Sequence, residues 1–216
     1  MKKIILSCLG ILLASSMSAQ TLEKMLWFNE PEQWQIKDKS LIINTPGSTD
    51  YWRIAHYGFT VDDAPFYYTT VGGEFEMKVK ISGEYKTRFD QAGLMVRLDH
   101  ENWIKAGIEF VDGKYNLSTV VTHHKSDWSV IKLEQAVPYI WIKVIRRLDA
   151  IHVQYSFDDE SYVEMRQAWF QDNCPVMVGM MSASPDGEGF KAKFENFQVK
   201  HLADLRRLEW LKKNNE

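Results

Sequence analysis

Short stretches in which apolar and polar residues alternate run through most of this chain, and they restrict its fold more than any other feature. Residues 89–110 show the pattern clearly. In "FDQAGLMVRLDHENWIKAGIEF" every second residue of two segments is apolar, and a polar turn separates the segments. Side chains of a β-strand point alternately to its two faces, so this period indicates strands that are buried on one side. The sequence therefore predicts strand, turn and strand over these residues.

Twelve segments of this kind predict an all-β protein. Turn-forming stretches such as "NTPGS", "VGG", "VDGK" and "SPDGEG" separate them, and almost no helical periodicity interrupts them. A chain of many short strands with turns between them folds as a sandwich or a barrel. The predicted strands cover residues 40–44, 51–54, 66–70, 73–81, 91–98, 103–111, 114–122, 129–133, 139–145, 151–157, 176–182 and 190–200.

The first 19 residues differ from this pattern. They begin with Lys2 and Lys3 after the initial methionine, continue through an apolar run at residues 4–14, and end on the small residue Ala19. This arrangement is typical of a secretory signal peptide, and its apolar run is too short for a stable membrane span. We therefore expect cleavage after residue 19, export to the periplasm or the extracellular space, and no transmembrane segment in the mature chain.

The last 16 residues also differ from the strand pattern. Leucines recur there at a spacing of three, with basic residues between them: Leu202, Leu205, Leu208 and Leu211. This spacing predicts an amphipathic helix over residues 201–216 that docks on the sandwich. The chain thus divides into a signal peptide (1–19), one β-sandwich domain (20–200) and a C-terminal helix (201–216).

Charge and cysteine content exclude several classes of function. Without residues 1–19 the chain has 24 basic and 29 acidic side chains, a net charge of −5, which argues against nucleic acid or an anionic membrane as the main partner. Cys174 is the one cysteine left, so no intramolecular disulfide can form and stability must come from the core. Neither a P-loop nor a dinucleotide fingerprint occurs, and we predict no cofactor.

Five segments together resemble a known protein family: "DYWRIAHYGF" (50–59), "GGEFEMKVKISGEY" (72–85), "DQAGLMVRLDHENWIKAGIEF" (90–110), "VVTHHKSDWS" (120–129) and "SASPDGEGFKAKFENFQV" (182–199). They are similar to the concanavalin A-like lectin/glucanase superfamily and, more closely, to the family named after a fungal regulator of enolase. The resemblance covers about residues 22–200. It implies a jelly-roll sandwich of two antiparallel sheets, one of them concave. In the wider superfamily the concave face holds carbohydrate.

One face of residues 91–109 carries side chains suited to a sugar. Opposite the apolar face stand Gln91, Arg97, Trp103, Lys105 and Glu109. Aromatic rings stack on the C–H faces of a sugar, and planar polar groups pair with its hydroxyls. Glycines at positions 93 and 107 leave room for a ligand close to the backbone. We predict that this face is the floor of a carbohydrate site; the alternative is a solvated face with cross-strand ion pairs such as Arg97–Glu109.

Two nearby segments supply candidates for the rim of that site. In strand geometry Arg53 faces the groove, while His56 and Tyr57 reach over an edge. The stretch "HHKSDWS" (123–129) is predicted to be a loop that brings His124 and Trp128 to the end of the groove. Each of these residues has a plain structural alternative, such as a buried histidine or a packing tryptophan. Because no HxH or HxxxH spacing occurs, we predict no metal site.

Four residues are candidates for catalysis, without an assigned role. The E-x-D-x-x-E motif typical of glucanases in the resembled superfamily is missing. Retaining glycosidases hold two carboxyl groups about 5–5.5 Å apart, and Glu74 and Glu76 share one strand face at a distance of about 6.6–7 Å. Glu109 is a further carboxylate, which basic neighbours on its face can keep ionised, and His56 is a candidate base.

Three functions from different classes remain open at this stage. The first is an exported carbohydrate-binding protein that takes an oligosaccharide or polysaccharide in the groove. The second is a glycan-degrading enzyme, a hydrolase or lyase, that uses the same groove. The third is a non-catalytic interaction protein that makes its contact through the C-terminal helix.

Overall fold

A β-sandwich forms the body of the protein, as the alternating pattern predicts. The computed structural model describes residues 22–172 and 174–214, so the predicted signal peptide lies outside the described residues. A 3-10 turn at Leu22–Lys24 precedes the strands, and a helix, α1 (Leu205–Asn214), follows them. The strands are β1 (Leu26–Phe28), β2 (Trp34–Lys37), β3 (Ser40–Pro46), β4 (Tyr51–Arg53), β5 (Thr60–Asp62), β6 (Phe66–Val71), β7 (Phe75–Gly83), β8 (Gln91–Arg97), β9 (Asn102–Val111), β10 (Lys114–His123), β11 (Lys125–Lys132), β12 (Ile140–Arg147), β13 (Ala150–Ser156), β14 (Val163–Trp169), β15 (Val176–Ala183) and β16 (Gly189–His201).

Two seven-stranded antiparallel sheets make up the sandwich. Sheet A has the order β1-β6-β15-β8-β9-β10-β11, and sheet B has the order β14-β13-β12-β7-β16-β3-β2. Neighbours in each sheet include strands far apart in the sequence, as in a jelly roll. The predicted fold class, a jelly-roll sandwich of two antiparallel sheets with a short C-terminal helix, is confirmed.

All twelve predicted segments are strands, and four strands lie outside them. These four are β1, β2, β5 and β14. Three of them have only three or four residues, too few for a period of two to be recognised. The fourth, β14, is an edge strand whose side chains are half-buried or exposed, so its sequence shows no buried face.

The main core lies between the two sheets and contains the apolar residues of the alternating pattern. On β8 and β9 these are Ala92, Leu94, Val96, Ile104 and Ile108, each at most 3% exposed. They meet residues of sheet B such as those of β7 and β12 in one continuous cluster. The apolar face of residues 91–110 is therefore buried, which leaves the opposite face of both strands on the outside of sheet A.

A second, smaller core lies on that outer face. β4 and β5 pair with each other in a separate two-stranded sheet, and residues 51–62, here named the covering hairpin, pack over part of sheet A. Nine buried residues form this core: Tyr51, Trp52, Ala64, Phe66, Met95, Trp103, Val120, Met181 and Ala183.

The turn between β10 and β11 is tighter than the sequence indicates. Residues 123–129 were predicted to be a loop, and this prediction is wrong. β10 continues to His123, β11 begins at Lys125, and His124 between them has a φ of 64°. A single residue in the left-handed region thus reverses the chain, which places Trp128 on a strand rather than on a loop.

Helix α1 forms as predicted but does not dock on the sandwich. It has no buried residue, and Leu208, Trp210 and Leu211 are exposed. Polar contacts hold only its first turn: the Leu205 N–H donates to Glu74 Oε1 at 3.3 Å, and Arg206 pairs with Asp172 at 2.8 Å. The docking prediction is therefore wrong, because the apolar stripe of the helix meets no apolar surface of the described chain.

Candidate functional site

The covering hairpin closes one end of the outer face of sheet A. Arg97 and Asp62 form a bidentate ion pair with N···O distances of 2.7 and 2.6 Å, and the Arg97 side chain is 3% exposed. The ring of Tyr51 meets the ring of Trp103 edge-on, with centroids 6.1 Å apart. Phe28 of β1 lies under the Arg97 guanidinium, 4.6 Å away. At this end the polar face of β8 and β9 is part of the protein interior.

The other end of the same face is open and holds a cavity of about 290 Å³. β8 and β9 are paired so that Gln91 lies opposite Glu109 at this end, whereas Arg97 lies opposite Trp103 at the covered end. We name this cavity the aromatic pocket. Its lining residues are Asp50, Trp52, Tyr57, Phe59, Arg88, Phe89, Gln91, Lys105, Glu109, Val120, Trp128, Pro185 and Asp186.

Asp50 organises the polar base of the aromatic pocket. Its Oδ1 accepts hydrogen bonds from Lys105 Nζ at 2.9 Å, from Gln91 Nε2 at 3.3 Å and from the Tyr51 N–H at 2.7 Å. The Asp50 N–H in turn donates to Asp63 Oδ1 at 2.9 Å. Lys105 is thereby fixed at the boundary between the covered end and the pocket, with its charge balanced by Asp50.

Glu109 is a buried carboxylate in the base of the pocket. The Trp128 indole N–H donates to Glu109 Oε2 at 2.8 Å and also approaches Ser118 Oγ at 3.1 Å. Burial raises the pKa of Glu109, although Lys105, Ser118 and Trp128 each act in the opposite direction. Desolvation disfavours the charged carboxylate more than these neighbours favour it. The pocket thus holds a carboxyl group that takes up a proton more readily than an exposed glutamate.

Aromatic rings form the mouth of the pocket. Tyr57 and Phe59 are stacked at 5.5 Å with 22° between their planes, and they are 49% and 46% exposed. Trp128 is 39% exposed and meets the ring of Phe89 edge-on at 6.3 Å. Exposed aromatic faces around a buried polar base are the arrangement that binds the apolar faces and the hydroxyls of a sugar.

A strained turn of the covering hairpin presents two of these rings. Ile54, His56 and Gly58 have positive φ values of 61°, 63° and 79°, and a β-branched residue in this region is an outlier. Backbone hydrogen bonds hold the turn, among them Ile54 N–H to Phe59 O and Gly58 N–H to Ile54 O, each 2.7 Å. Strain of this kind persists only where the surrounding structure imposes it, and it occurs frequently at binding sites.

Five of the residues predicted to bind a ligand line the aromatic pocket. They are Tyr57, Gln91, Lys105, Glu109 and Trp128. The turn of the covering hairpin supplies Tyr57, and the pairing of β8 with β9, of β9 with β10 and of β10 with β11 brings the other four together. In that register Trp128 lies opposite Val120, which lies opposite Lys105.

Two residues of the predicted floor lie elsewhere, and for them the expectation of an open groove is corrected. Arg97 and Trp103 are 3% and 1% exposed because the covering hairpin packs directly on them. Trp103 has no free face for a ligand, and the guanidinium of Arg97 already binds Asp62. The ion pair between Arg97 and Glu109, which the alternative of a solvated face implied, does not form either, since these residues stand at opposite ends of the face.

Arg53, His56 and His124 do not line the pocket. The Arg53 guanidinium donates to Glu101 Oε1 at 2.7 Å and to the His124 carbonyl oxygen at 3.3 Å, so it fastens the covering hairpin to the turns that flank β9 and β10. His124 Nδ1 lies 3.3 Å from Glu101 Oε1. His56 is exposed at the hairpin tip, where its ring meets the edge of Tyr57 at 4.6 Å.

Glu74 and Glu76 lie at β7 of sheet B, away from the pocket lining. Glu74 pairs with Arg147 and accepts the backbone N–H of Leu205 at the start of α1. Glu76 pairs with Lys200 at 2.7 Å. The sheet assignment separates these two carboxylates from Glu109, so the structure does not bring the catalytic candidates together.

Several lining residues were not predicted from the sequence. Asp50 directly precedes the segment "YWRIAHYGF", and Asp186 lies in the turn "SPDGEG"; both stretches were read as strand and turn features. A carboxylate at a turn ordinarily caps the backbone, so the sequence contains no signal for its position beside Lys105. The unpredicted lining residues are Asp50, Trp52, Phe59, Arg88, Phe89, Val120, Pro185 and Asp186.

Two further features are absent from residues 22–172 and 174–214. None of the helices in this part of the chain has the length and apolar character needed to cross a membrane. No group of three or more His, Cys, Asp or Glu side chains among these residues could hold a metal ion.

Similarity to known structures extends over most of the sandwich. The crystal structure of a functionally unknown protein from Saccharomyces cerevisiae is 33% identical, with a TM-score of 0.81, and the match covers 84% of this chain and 98% of that one. The GH43 protein BlXynB from Bacillus licheniformis is 12% identical with a TM-score of 0.65. This match covers 84% of this chain but only 39% of that protein, and at such low identity it shows the shared fold alone.

Sequence comparison places the chain in a family. The Saccharomyces cerevisiae protein named "Regulation of enolase protein 1" is 34% identical over 178 residues, which is 82% of this chain and 90% of the yeast protein. Residues 27–202 match the family described as "Protein of unknown function (DUF1349)". This range includes all strands from β2 to β16 and the whole aromatic pocket. The chain therefore belongs to the DUF1349 family.

Proposed function

We propose that this protein binds carbohydrate in the aromatic pocket and that it does so after export from the cytoplasm. One observation carries the proposal: exposed rings of Tyr57, Phe59 and Trp128 surround the buried polar groups of Gln91 and Glu109 in a single cavity. The rings offer flat surfaces for the C–H faces of a sugar. The amide and carboxyl groups offer the planar hydrogen-bonding partners that its hydroxyls need.

Relationships of the fold support the same proposal. The sandwich resembles part of a GH43 protein, and the sequence resembles the concanavalin A-like superfamily, in which one outer sheet face holds carbohydrate. Fold likeness alone does not establish a function, so the proposal depends on the pocket. The signal-peptide pattern of residues 1–19 supports export, which belongs to the proposal as well.

Binding to an array of neutral and charged glycans tests this function, with isothermal titration of any glycan that binds. In a Tyr57→Ala/Phe59→Ala variant we expect at least about a fivefold loss of affinity, because stacking on exposed rings contributes about 0.5–1.5 kcal/mol for each ring. Trp210→Ala is the matched control, since it removes an exposed ring of α1 outside the pocket. Equal losses in both variants, or no glycan bound by the native protein, would contradict the proposal.

A second candidate function is cleavage of the bound glycan, and the state of Glu109 favours it. Glu109 and Asp50 both line the pocket, and burial raises the pKa of Glu109. A carboxyl group whose pKa is raised is suited to act as general acid toward a glycosidic oxygen, while a second carboxylate acts on the opposite side of the sugar as base or nucleophile. If the native protein releases reducing ends from a glycan that it binds, Glu109→Gln should abolish the release with little loss of binding. Binding without any release would leave only the first function.

A further inference from the structure

The charges around the aromatic pocket restrict the kind of sugar that it can take. Its lining contains the carboxylates of Asp50, Glu109 and Asp186 and the cations of Lys105 and Arg88. Acidic groups thus outnumber basic ones in the lining. An acidic ligand would need a cation that is free to pair with it.

The Lys105 cation already has a close partner, whereas Arg88 is half exposed and only loosely held. Lys105 Nζ lies 2.9 Å from Asp50 Oδ1, and the Lys105 side chain is only 5% exposed. Arg88 lies over the ring of Phe89 at 4.5 Å, and its Nε is 3.8 Å from Asp112 Oδ1. At the base of the pocket, a ligand carboxylate would have to replace Asp50 at Lys105, which would leave the partly buried aspartate without its counter-charge.

The base of the aromatic pocket offers a ligand more hydrogen-bond acceptors than donors. All three hydrogen bonds to the Asp50 carboxylate reach Oδ1, and no described residue donates to Oδ2. Glu109 accepts the indole N–H of Trp128 through Oε2. Hydroxyl and ammonium groups donate to carboxylates, so a ligand that carries these groups complements the base of the pocket.

We propose that the ligand of the aromatic pocket is a neutral or amino-substituted sugar and that the pocket discriminates against uronic acids. This inference rests on the proposed carbohydrate binding and names its substrate class. The rings at the mouth bind any sugar with a flat C–H face, and they also attract a cationic amino group. The acidic base then sets the selectivity, because a ligand carboxylate placed there meets like charges in a partly desolvated cavity.

A matched set of oligosaccharides tests the selectivity. Three ligands share one core and end in glucose, glucosamine or glucuronic acid, and a second set ends in galactose, galactosamine or galacturonic acid. Isothermal titration against the native protein should give a dissociation constant at least about tenfold larger for the uronic acid than for the neutral sugar of the set that binds. Equal or tighter binding of the uronic acid would overturn the inference but leave carbohydrate binding intact.

Two exposed acidic residues of one turn provide the matched variants. Asp186 lines the pocket, whereas Glu188 does not, so Asp186→Asn and Glu188→Gln change the net charge equally. Asp186→Asn should reduce the discrimination by about two- to fivefold, and Glu188→Gln should leave it unchanged. Equal effects would indicate that the overall charge of the protein, and not the pocket, repels the uronic acid. If no sugar of either set binds the folded protein, the proposed function itself fails, and this inference fails with it.

Discussion

The two ends of the outer face of sheet A are built from the same pair of strands but have opposite environments. At one end Arg97 and Trp103 face each other across β8 and β9, buried beneath the covering hairpin. At the other end Gln91 and Glu109 face each other at the base of a cavity. The sequence of both ends has the same alternation. What separates them is twelve residues of covering hairpin, which pack over one end and form part of the mouth of the other.

Two aspartates fix this division, one directly before the covering hairpin and one at its last residue. Asp62 at its far strand binds Arg97 inside the covered end, and Asp50 just before its first strand binds Lys105 at the edge of the pocket. The covered end therefore contributes to stability, and the open end is free to bind a ligand. Variants of paired residues from the two ends can test whether these roles are separate.

Loss of the covered ion pair should have the largest effect. Arg97→Ala leaves Asp62 without its partner and removes the guanidinium from the faces of Phe28 and Tyr51. We expect the free energy of unfolding to fall by about 3 kcal/mol. This is the lower part of the range for a broken buried ion pair, because Asp62 is partly exposed. Chemical denaturation followed by tryptophan fluorescence measures this change.

Arg88→Ala is the control from the open end. The Arg88 side chain is 54% exposed, and its Nε lies 3.8 Å from Asp112, so its removal should change the unfolding free energy by no more than about 0.5 kcal/mol. If both variants lose the same stability, the covered end does not contribute more to stability than the open end.

The glycines between the two ends should tolerate no side chain. A Cβ on Gly107 would lie 2.1 Å from the Ala92 carbonyl oxygen and 2.5 Å from the Cα of Gly93, so the paired strands would have to move apart. We expect Gly107→Ala to cost about 2 kcal/mol in denaturation experiments. Gly72→Ala, where a Cβ meets nothing within 4 Å, should stay within about 0.5 kcal/mol; a comparable loss there would indicate a general effect of removing a glycine.

For these glycines the sequence predicted the right face of the sheet but the wrong role. Their period placed them correctly on the outer face, and a small residue there was expected to make room for a ligand. In the structure they make room for the backbone of the neighbouring strand. Periodicity thus predicts the face on which a residue lies, because alternation is a local property of the strand. It does not predict what approaches that face.

Only five of the thirteen residues that line the candidate site could be predicted, for the same reason. Gln91, Lys105 and Glu109 follow from the alternation of β8 and β9, which the sequence shows directly. Arg97 and Trp103 obey the same alternation, yet a segment that lies about forty residues earlier covers them. The sequence could not predict this cover, since it depends on a long-range contact between Asp62 and Arg97. Asp50 was missed because its partner Lys105 is 55 residues away.

Removal of the indole N–H at the open end should have a smaller effect than the changes above. Trp128→Phe keeps a ring at the mouth but deletes the hydrogen bond to Glu109. We expect a loss of about 1 kcal/mol in unfolding free energy, since Trp128 is partly exposed. The pKa of Glu109 should rise further, because the indole N–H stabilises its charged form. Denaturation and carboxyl-detected NMR titration measure the two effects, with Trp210→Phe as the control.

The smallest effect is expected in the pH dependence of stability, and it isolates the charge of Glu109. Burial raises the pKa of Glu109 above its ordinary value of 4.5. The stability that protonated Glu109 contributes is therefore complete below pH 4.5 and is lost as the pH rises through the folded-state pKa. Glu109→Gln cannot ionise, so its stability relative to the native protein should increase as the pH rises from 4.5 to 7. Glu188→Gln, on an exposed turn outside the pocket, should give a curve parallel to the native one. If the Glu109→Gln curve also stays parallel, the open end holds Glu109 as an ordinary ionised carboxylate, and the case for a proton donor in the pocket is lost.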